Sequence, residues 1–309
     1  MLAVYSSKRM NKNLFSKSLD NCKNLWYNRL ADVRNDDIPH GRKDLIKLNI
    51  DKRRKYIAVI DTETANGLED SLVYDVGWAI VDKQGKVYCS RSYLVKEIFC
   101  EERELMQTAY YAEKIPMYLE DIQKKKRKIL SFQYIRNVFL ADCKRFNCTT
   151  VCAHNARFDV NALNTTRRFL TKSKRRYFFP YGMEIWDTMK MAQDVICPMP
   201  TYKRFCSAHA DYTLKNGSPR KTAEILYQYI INDDSFIESH TGLEDVLIEK
   251  EILVYCIRQK RLCGKGSIKR NLMESVFRSL RKKESTDILW KFGELSSPRK
   301  KLKKIKKST

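Results

Sequence analysis

Asp61 and Glu63 stand two residues apart at the end of the β-branched run Tyr56-Ile57-Ala58-Val59-Ile60. In an extended strand the side chains at i and i+2 point to one face, so both carboxylates can project from the sheet toward one point. Such a pair can hold a hard divalent cation, which prefers carboxylate oxygens. It is the only D-x-E triplet in the chain, and its apolar flank reads as a buried strand, not a surface turn.

Two further segments carry acids in chemically suggestive settings. Thr149 to Ala153 reads as a short apolar strand that passes into an amphipathic segment with Asn155, Phe158 and Asp159. Residues 238–257 place His240 five residues before Asp245, at the mouth of an apolar-periodic helix. Four gathered acids would repel one another without a cation, so the set makes sense as a metal site. An imidazole titrates near neutral pH and can take a proton from an attacking water.

The order D-x-E, N-x-x-F-D, H-x-x-x-x-D resembles the three exonuclease motifs of the DnaQ-like, DEDD-type 3′-5′ exonucleases, histidine subclass. The resemblance covers roughly two thirds of the chain. It implies two divalent ions, Mg²⁺ or Mn²⁺, with Asp61, Glu63 and Asp245 holding one and Asp61 with Asp159 holding the other. It also implies His240 as general base, and Thr64, Asn155 and Phe158 as substrate contacts. Two metals can neutralise the phosphodiester oxygens, activate water and stabilise the leaving alkoxide.

Competing assignments exist for the histidine. His154 and Asp159 also fit H-x-x-x-x-D, but His154 lies at the strand end inside the second motif and reads as packing or a substrate contact. The sibling subclass uses Y-x-x-x-D, which Tyr229 and Asp233 satisfy; Tyr229 falls in an apolar helical stretch and reads as a core aromatic. His40 and His209 have no acidic motif around them. Asp187, in Trp186-Asp187-Thr188, reads as a helix cap and not a fifth ligand, and Thr222 as the N-cap of the helix before the third motif.

The family's motifs are not matched everywhere. Ala65 and Asn66 stand between Thr64 and Gly67, where D-x-E-T-T-G is common, and Gly242 takes a place where alanine is common. Neither change removes an acid.

The elements that must position these groups read as follows. After the first strand come β-rich runs Leu72 to Val81 and Lys86 to Val95, joined by the hairpin turn Asp82-Lys83-Gln84-Gly85. Helical patterns cover Glu101 to Ala112, Phe132 to Phe146 and Val160 to Leu170, and a last short strand covers Glu184 to Asp187. The resulting order β-β-β-α-β-α-β-α suits an α/β fold. By resemblance it is ribonuclease H-like, with a mixed five-stranded sheet and helices on both faces.

Charge points to the partner. The formal net charge is +23, from 60 Lys and Arg against 37 Asp and Glu, and basic surface attracts a phosphate backbone through counterion release. The excess concentrates in the first 55 residues and in the tail SSPRKKLKKIKKST; KKKRK at 124–128 reads as a solvated helix face or a track for a strand. Leu14, Leu19, Cys22, Leu25, Trp26, Leu30 and Val33 recur at helical spacing, and residues 267–283 read as a further helix. The expected organisation is a basic, partly helical extension over 1–53, an exonuclease domain over 54–262, and a helix with a basic disordered tail over 263–309.

No stretch approaches the ~20 apolar residues that span a bilayer, so no membrane association is expected. The ten cysteines contain no C-x-x-C, and Cys197, Cys206 and His209 lack a fourth zinc ligand at a recognisable spacing. They read as reduced, consistent with a cytoplasmic protein; a bacterial or phage origin is implied by the resemblance alone. The resemblance implies release of nucleoside 5′-monophosphates from single-stranded or frayed 3′ ends, with DNA favoured over RNA. The rivals are an exoribonuclease, a nucleic-acid-binding accessory protein, and a proofreading subunit docked on a polymerase.

Overall fold

The computed structural model describes residues 55–263; the proposed terminal helices, the basic tail and His40 lie outside them. Ile57 and Val59 belong to one apolar cluster while Tyr56, Ala58 and Ile60 belong to another. This two-residue alternation, with both sets buried, means that strand β1 (Tyr56–Ala65) is covered on both faces.

Strand β2 (Leu72–Asp82) is buried along its whole length and pairs antiparallel with β1 and with β3 (Val87–Val95). The turn between β2 and β3 is the expected hairpin. Asp82 Oδ1 accepts from the backbone N–H groups of Gln84 and Lys86, and Gly85 takes a φ of +88°, which glycine tolerates best. On the other side of β1 lie β5 (Thr150–Ala153) and β6 (Glu184–Asp187), both parallel to it.

The sheet has six strands, in the order β4-β3-β2-β1-β5-β6, and not the expected five. The extra edge strand β4 (Lys128–Leu130) begins inside the basic run, so KKKRK is no helix face. Arg127 is buried there: its Nη1 lies 2.9 Å from Asp75 Oδ2 and 2.9 Å from Ser92 Oγ, and its guanidinium stacks over Tyr118.

One face of the sheet is covered by α1 (Lys96–Phe99), α2 (Arg103–Met106), a 3₁₀ turn (Ala112–Lys114), α3 (Ile115–Gln123), α4 (Phe132–Arg145) and α5 (Arg157–Thr171). The continuous helix expected over 101–112 is broken. Thr108 donates its hydroxyl to Leu105 O at 2.7 Å and accepts the N–H of Asn66 at 2.9 Å. Local bonds of this kind compete with the helical ladder. Ser131 starts α4 by accepting the N–H of Tyr134.

The opposite face carries α6 (Thr188–Val195), α7 (Pro200–Ser207), α8 (Ala223–Ile231) and α9 (Gly242–Cys263). Thr222 occupies the N-cap position of α8 as expected, but its side chain makes no capping bond. The start of α9 lies directly on β2. A Cβ on Gly77 would fall 2.2 Å from the carbonyl carbon of Gly242, and one on Gly242 would fall 2.8 Å from the Gly77 nitrogen. This backbone-on-backbone contact accounts for glycine at position 242. Among the described residues no helix is long and apolar enough to cross a membrane.

Candidate active site

Gly77 is the β2 partner of Asp61, so the glycine contact sets the first turn of α9 beside the end of β1. The consequence is a cluster: oxygens of Asp61, Glu63 and Asp245 lie within 4.8 Å of one another. Asp61 Oδ2 and Asp245 Oδ1 are buried without a hydrogen-bond partner. Burial first, and then neighbouring acids, push all three carboxyls up: Glu63 to about 9, Asp245 to about 8, and Asp61 well above its ordinary value.

Asp159 reaches the same region from α5, on the other face of the sheet. It is buried and accepts the Thr62 hydroxyl at 2.8 Å, which holds its carboxylate at the end of β1. Burial raises its carboxyl to about 7, although the bond from Thr62 opposes the shift. It stands outside the 4.8 Å set but exerts the largest charge effect on Asp61.

His240 joins through the loop before α9, in the left-handed region at φ +49°. Its ring stacks on Tyr111 with centroids 4.4 Å apart and planes 12° apart, and Nδ1 lies 3.7 Å from Glu238. Glu238, His240 and Asp245 offer ligand atoms within 4.8 Å of one another. Lys114 Nζ donates to the carbonyls of Ser239 and His240 and sits over the Tyr111 ring. Burial, and then the Lys114 charge, lower the His240 pKa below its ordinary value. A neutral imidazole at neutral pH can accept a proton.

The other sequence candidates fall elsewhere. His154 is bonded on both nitrogens, to Thr188 Oγ1 at 3.0 Å and Lys221 O at 2.8 Å, and burial lowers its pKa to about 4, so both nitrogens are engaged within the chain. Tyr229 bonds Thr201 and packs among Tyr202, Phe205 and Tyr255. Asp187 caps α6 through the N–H groups of Met189 and Lys190 and accepts that of Asn155. His209 bonds Asp234 and stacks on Tyr212. The eight cysteines from Cys89 to Cys256 are free thiols. Thr64 follows the β-bulge next to Glu63, Asn155 is exposed at φ +59°, and Phe158 is half-buried one residue before Asp159.

Tyr111, Lys114, Glu238 and Glu249 were not singled out by the sequence. Tyr111 lies in the broken segment and Lys114 just beyond it, at the end of the 3₁₀ turn, and neither stands in a motif. Glu249 follows Asp245 by four residues, one helical turn along the same face of α9, and that spacing was readable.

Hard cations fit this donor set. It is all oxygen apart from one imidazole, it is half-buried to buried, and Asp61 Oδ2 and Asp245 Oδ1 lack protein donors. No family model matches the chain, and no curated protein matches it. Among solved structures, it is similar to cell-death related nuclease 4, at 12% identity and a TM-score of 0.38, over 66% of this chain and 64% of that one. It is also similar to exonuclease I from Methylocaldum szegediense, at 14% identity and a TM-score of 0.39, over 67% of this chain and 41% of that one. The chain therefore spans less than two thirds of either protein. Likenesses of this size leave the function to the geometry of the site.

Proposed function

We propose that the protein is a metal-dependent 3′-5′ exonuclease of the DnaQ-like, DEDD histidine type on a ribonuclease H-like fold. The observation that carries this reading is the convergence of Asp61, Glu63 and Asp245 within 4.8 Å, with His240 beside Asp245. Asp61, Glu63 and Asp245 would hold one Mg²⁺ or Mn²⁺, and Asp61 with Asp159 a second. When bound, the ions supply charge neutralisation at the scissile phosphate.

The remaining chemistry belongs to the chain. Glu238 faces Nδ1 of His240, which leaves Nε2 to take the proton of the attacking water. The Tyr111 stack and the Lys114 bonds to the Ser239 and His240 carbonyls hold the ring beside Asp245. Thr62 keeps Asp159 aimed at the end of β1. Thr64, Asn155 and Phe158 would meet the terminal nucleotide, with single-stranded or frayed DNA 3′ ends as the substrate and nucleoside 5′-monophosphates as the product.

The test is cleavage of matched 3′- and 5′-labelled single-stranded DNA and RNA with Mg²⁺, Mn²⁺ or EDTA. Stepwise shortening from the 3′ end that needs metal and Asp61, with DNA cut faster than RNA, is expected. His240→Ala should lower turnover by about 10²-fold or more, in the range for a lost general base, while nucleic-acid binding survives. Binding without cleavage under every condition would replace this reading with that of a nucleic-acid-binding accessory protein.

A further inference from the structure

We infer that Glu249 is a fifth carboxylate of the cation cluster, standing on its Asp61–Asp159 side; the inference rests on the cation reading above. Glu249 is 2% exposed, yet its Oε2 has no hydrogen-bond partner. The group accepts the backbone N–H of His154, at the end of β5, which accounts for one bond only.

Its placement follows from the helix. Residues four apart lie one turn along the same face, so the α9 face that brings Asp245 to β1 also turns Glu249 toward the sheet. Glu249 acts on Asp61 more strongly than Glu63 or Asp245 does, and those two lie within 4.8 Å of it. The leading charge effects on Glu249 come from Asp159, Asp245 and Glu238, all acids. Leaving a buried charged group short of partners costs more than leaving a neutral one. A glutamine would serve the His154 N–H equally well. Once ionised, a carboxylate at this position needs a cation, and its first charge neighbour, Asp159, is one of the acids proposed to hold one.

The substitution Glu249→Gln separates the two roles, since the amide oxygen can still accept from His154. Free Mn²⁺ is followed by electron paramagnetic resonance as it is titrated into the full chain, for wild type, Glu249→Gln and Asp61→Asn. We expect Glu249→Gln to weaken uptake at one site by about 10- to 100-fold and Asp61→Asn to weaken both. In EDTA, Glu249→Gln should unfold no lower than wild type, because the amide keeps the bond to His154 and leaves no carboxyl in the acid cluster. A Glu249→Gln titration that superimposes on wild type would overturn the proposal and leave the exonuclease reading intact. Absence of Mn²⁺ uptake by wild type would overturn both. Glu249→Leu, which fills the space without an unpaired oxygen but gives up the His154 bond, provides the Mn²⁺ comparison should Glu249→Gln fail to give a native circular dichroism spectrum.

Discussion

Two groups of buried acids lie close together in this molecule, and they are treated oppositely. On the β2–β3 side each has an arginine. Asp75 Oδ2 receives Arg127, the Tyr118 hydroxyl and the Gly242 N–H, and Asp142 Oδ2 receives Arg91 and the Trp78 indole N–H. At the end of β1, Asp61, Asp245 and Glu249 each keep an oxygen without a donor, as Asp75 does at Oδ1, but among the described residues none of the three is paired with an arginine. The cation that acts on that group is Lys114, which lowers the Glu63 and Asp245 carboxyls without cancelling the effect of burial. Under the proposed function, acids that serve the fold take an arginine from within the chain, whereas acids kept for chemistry are left for a partner from outside.

Substitutions should break the two groups in opposite ways. The largest effect is expected for Asp61→Asn, with a loss of about 10⁴-fold in kcat/KM, ~5.5 kcal/mol of barrier, and no loss of metal-free stability. Steady-state cleavage and thermal unfolding measure the two halves of that statement. Arg127→Ala should do the reverse. It leaves Asp75 as an uncompensated buried charge at a cost of about 3 to 5 kcal/mol, read as a lowered midpoint in urea unfolding.

The contrast sharpens with pH. Glu63, Asp245 and Asp159, at about 9, 8 and 7, bind protons in the folded metal-free protein that the unfolded chain has already released. Stability is then full below the ordinary carboxylate range and falls as pH rises through 7 to 9. In EDTA the unfolding temperature should drop between pH 6 and pH 9, and saturating Mn²⁺ should flatten that slope. The smallest effect is expected for Tyr111→Ala. Loss of the ring stack on His240 should lower kcat by about 2- to 10-fold, with Tyr111→Phe close to wild type.

The unpaired group was more legible in the sequence than the paired one. Asp61, Glu63 and Asp245 stand at the ends of strongly patterned elements, a β-branched run and an apolar-periodic helix, and the hairpin of β2 and β3 carried its own turn signal. Arg127 lay hidden in KKKRK, because burial of one charge in a basic run depends on Asp75, a residue far away in sequence. β4 is three residues long, too short to show a period. The break in the 101–112 helix comes from a bond between Thr108 and Asn66, and the placing of α9 comes from Gly77 meeting Gly242. Contacts between distant backbone segments leave no local pattern.

The most direct test of the central claim, that the acids at the end of β1 are kept for divalent cations, is thermal unfolding of wild type and Asp61→Asn at pH 8 in EDTA and in Mn²⁺. At 100 times its dissociation constant a bound ion adds about 2.7 kcal/mol, which for a domain of this size raises the midpoint by roughly 5 to 10 °C. That rise should appear in wild type and be largely lost in Asp61→Asn; equal midpoints for wild type with and without Mn²⁺ would contradict the account.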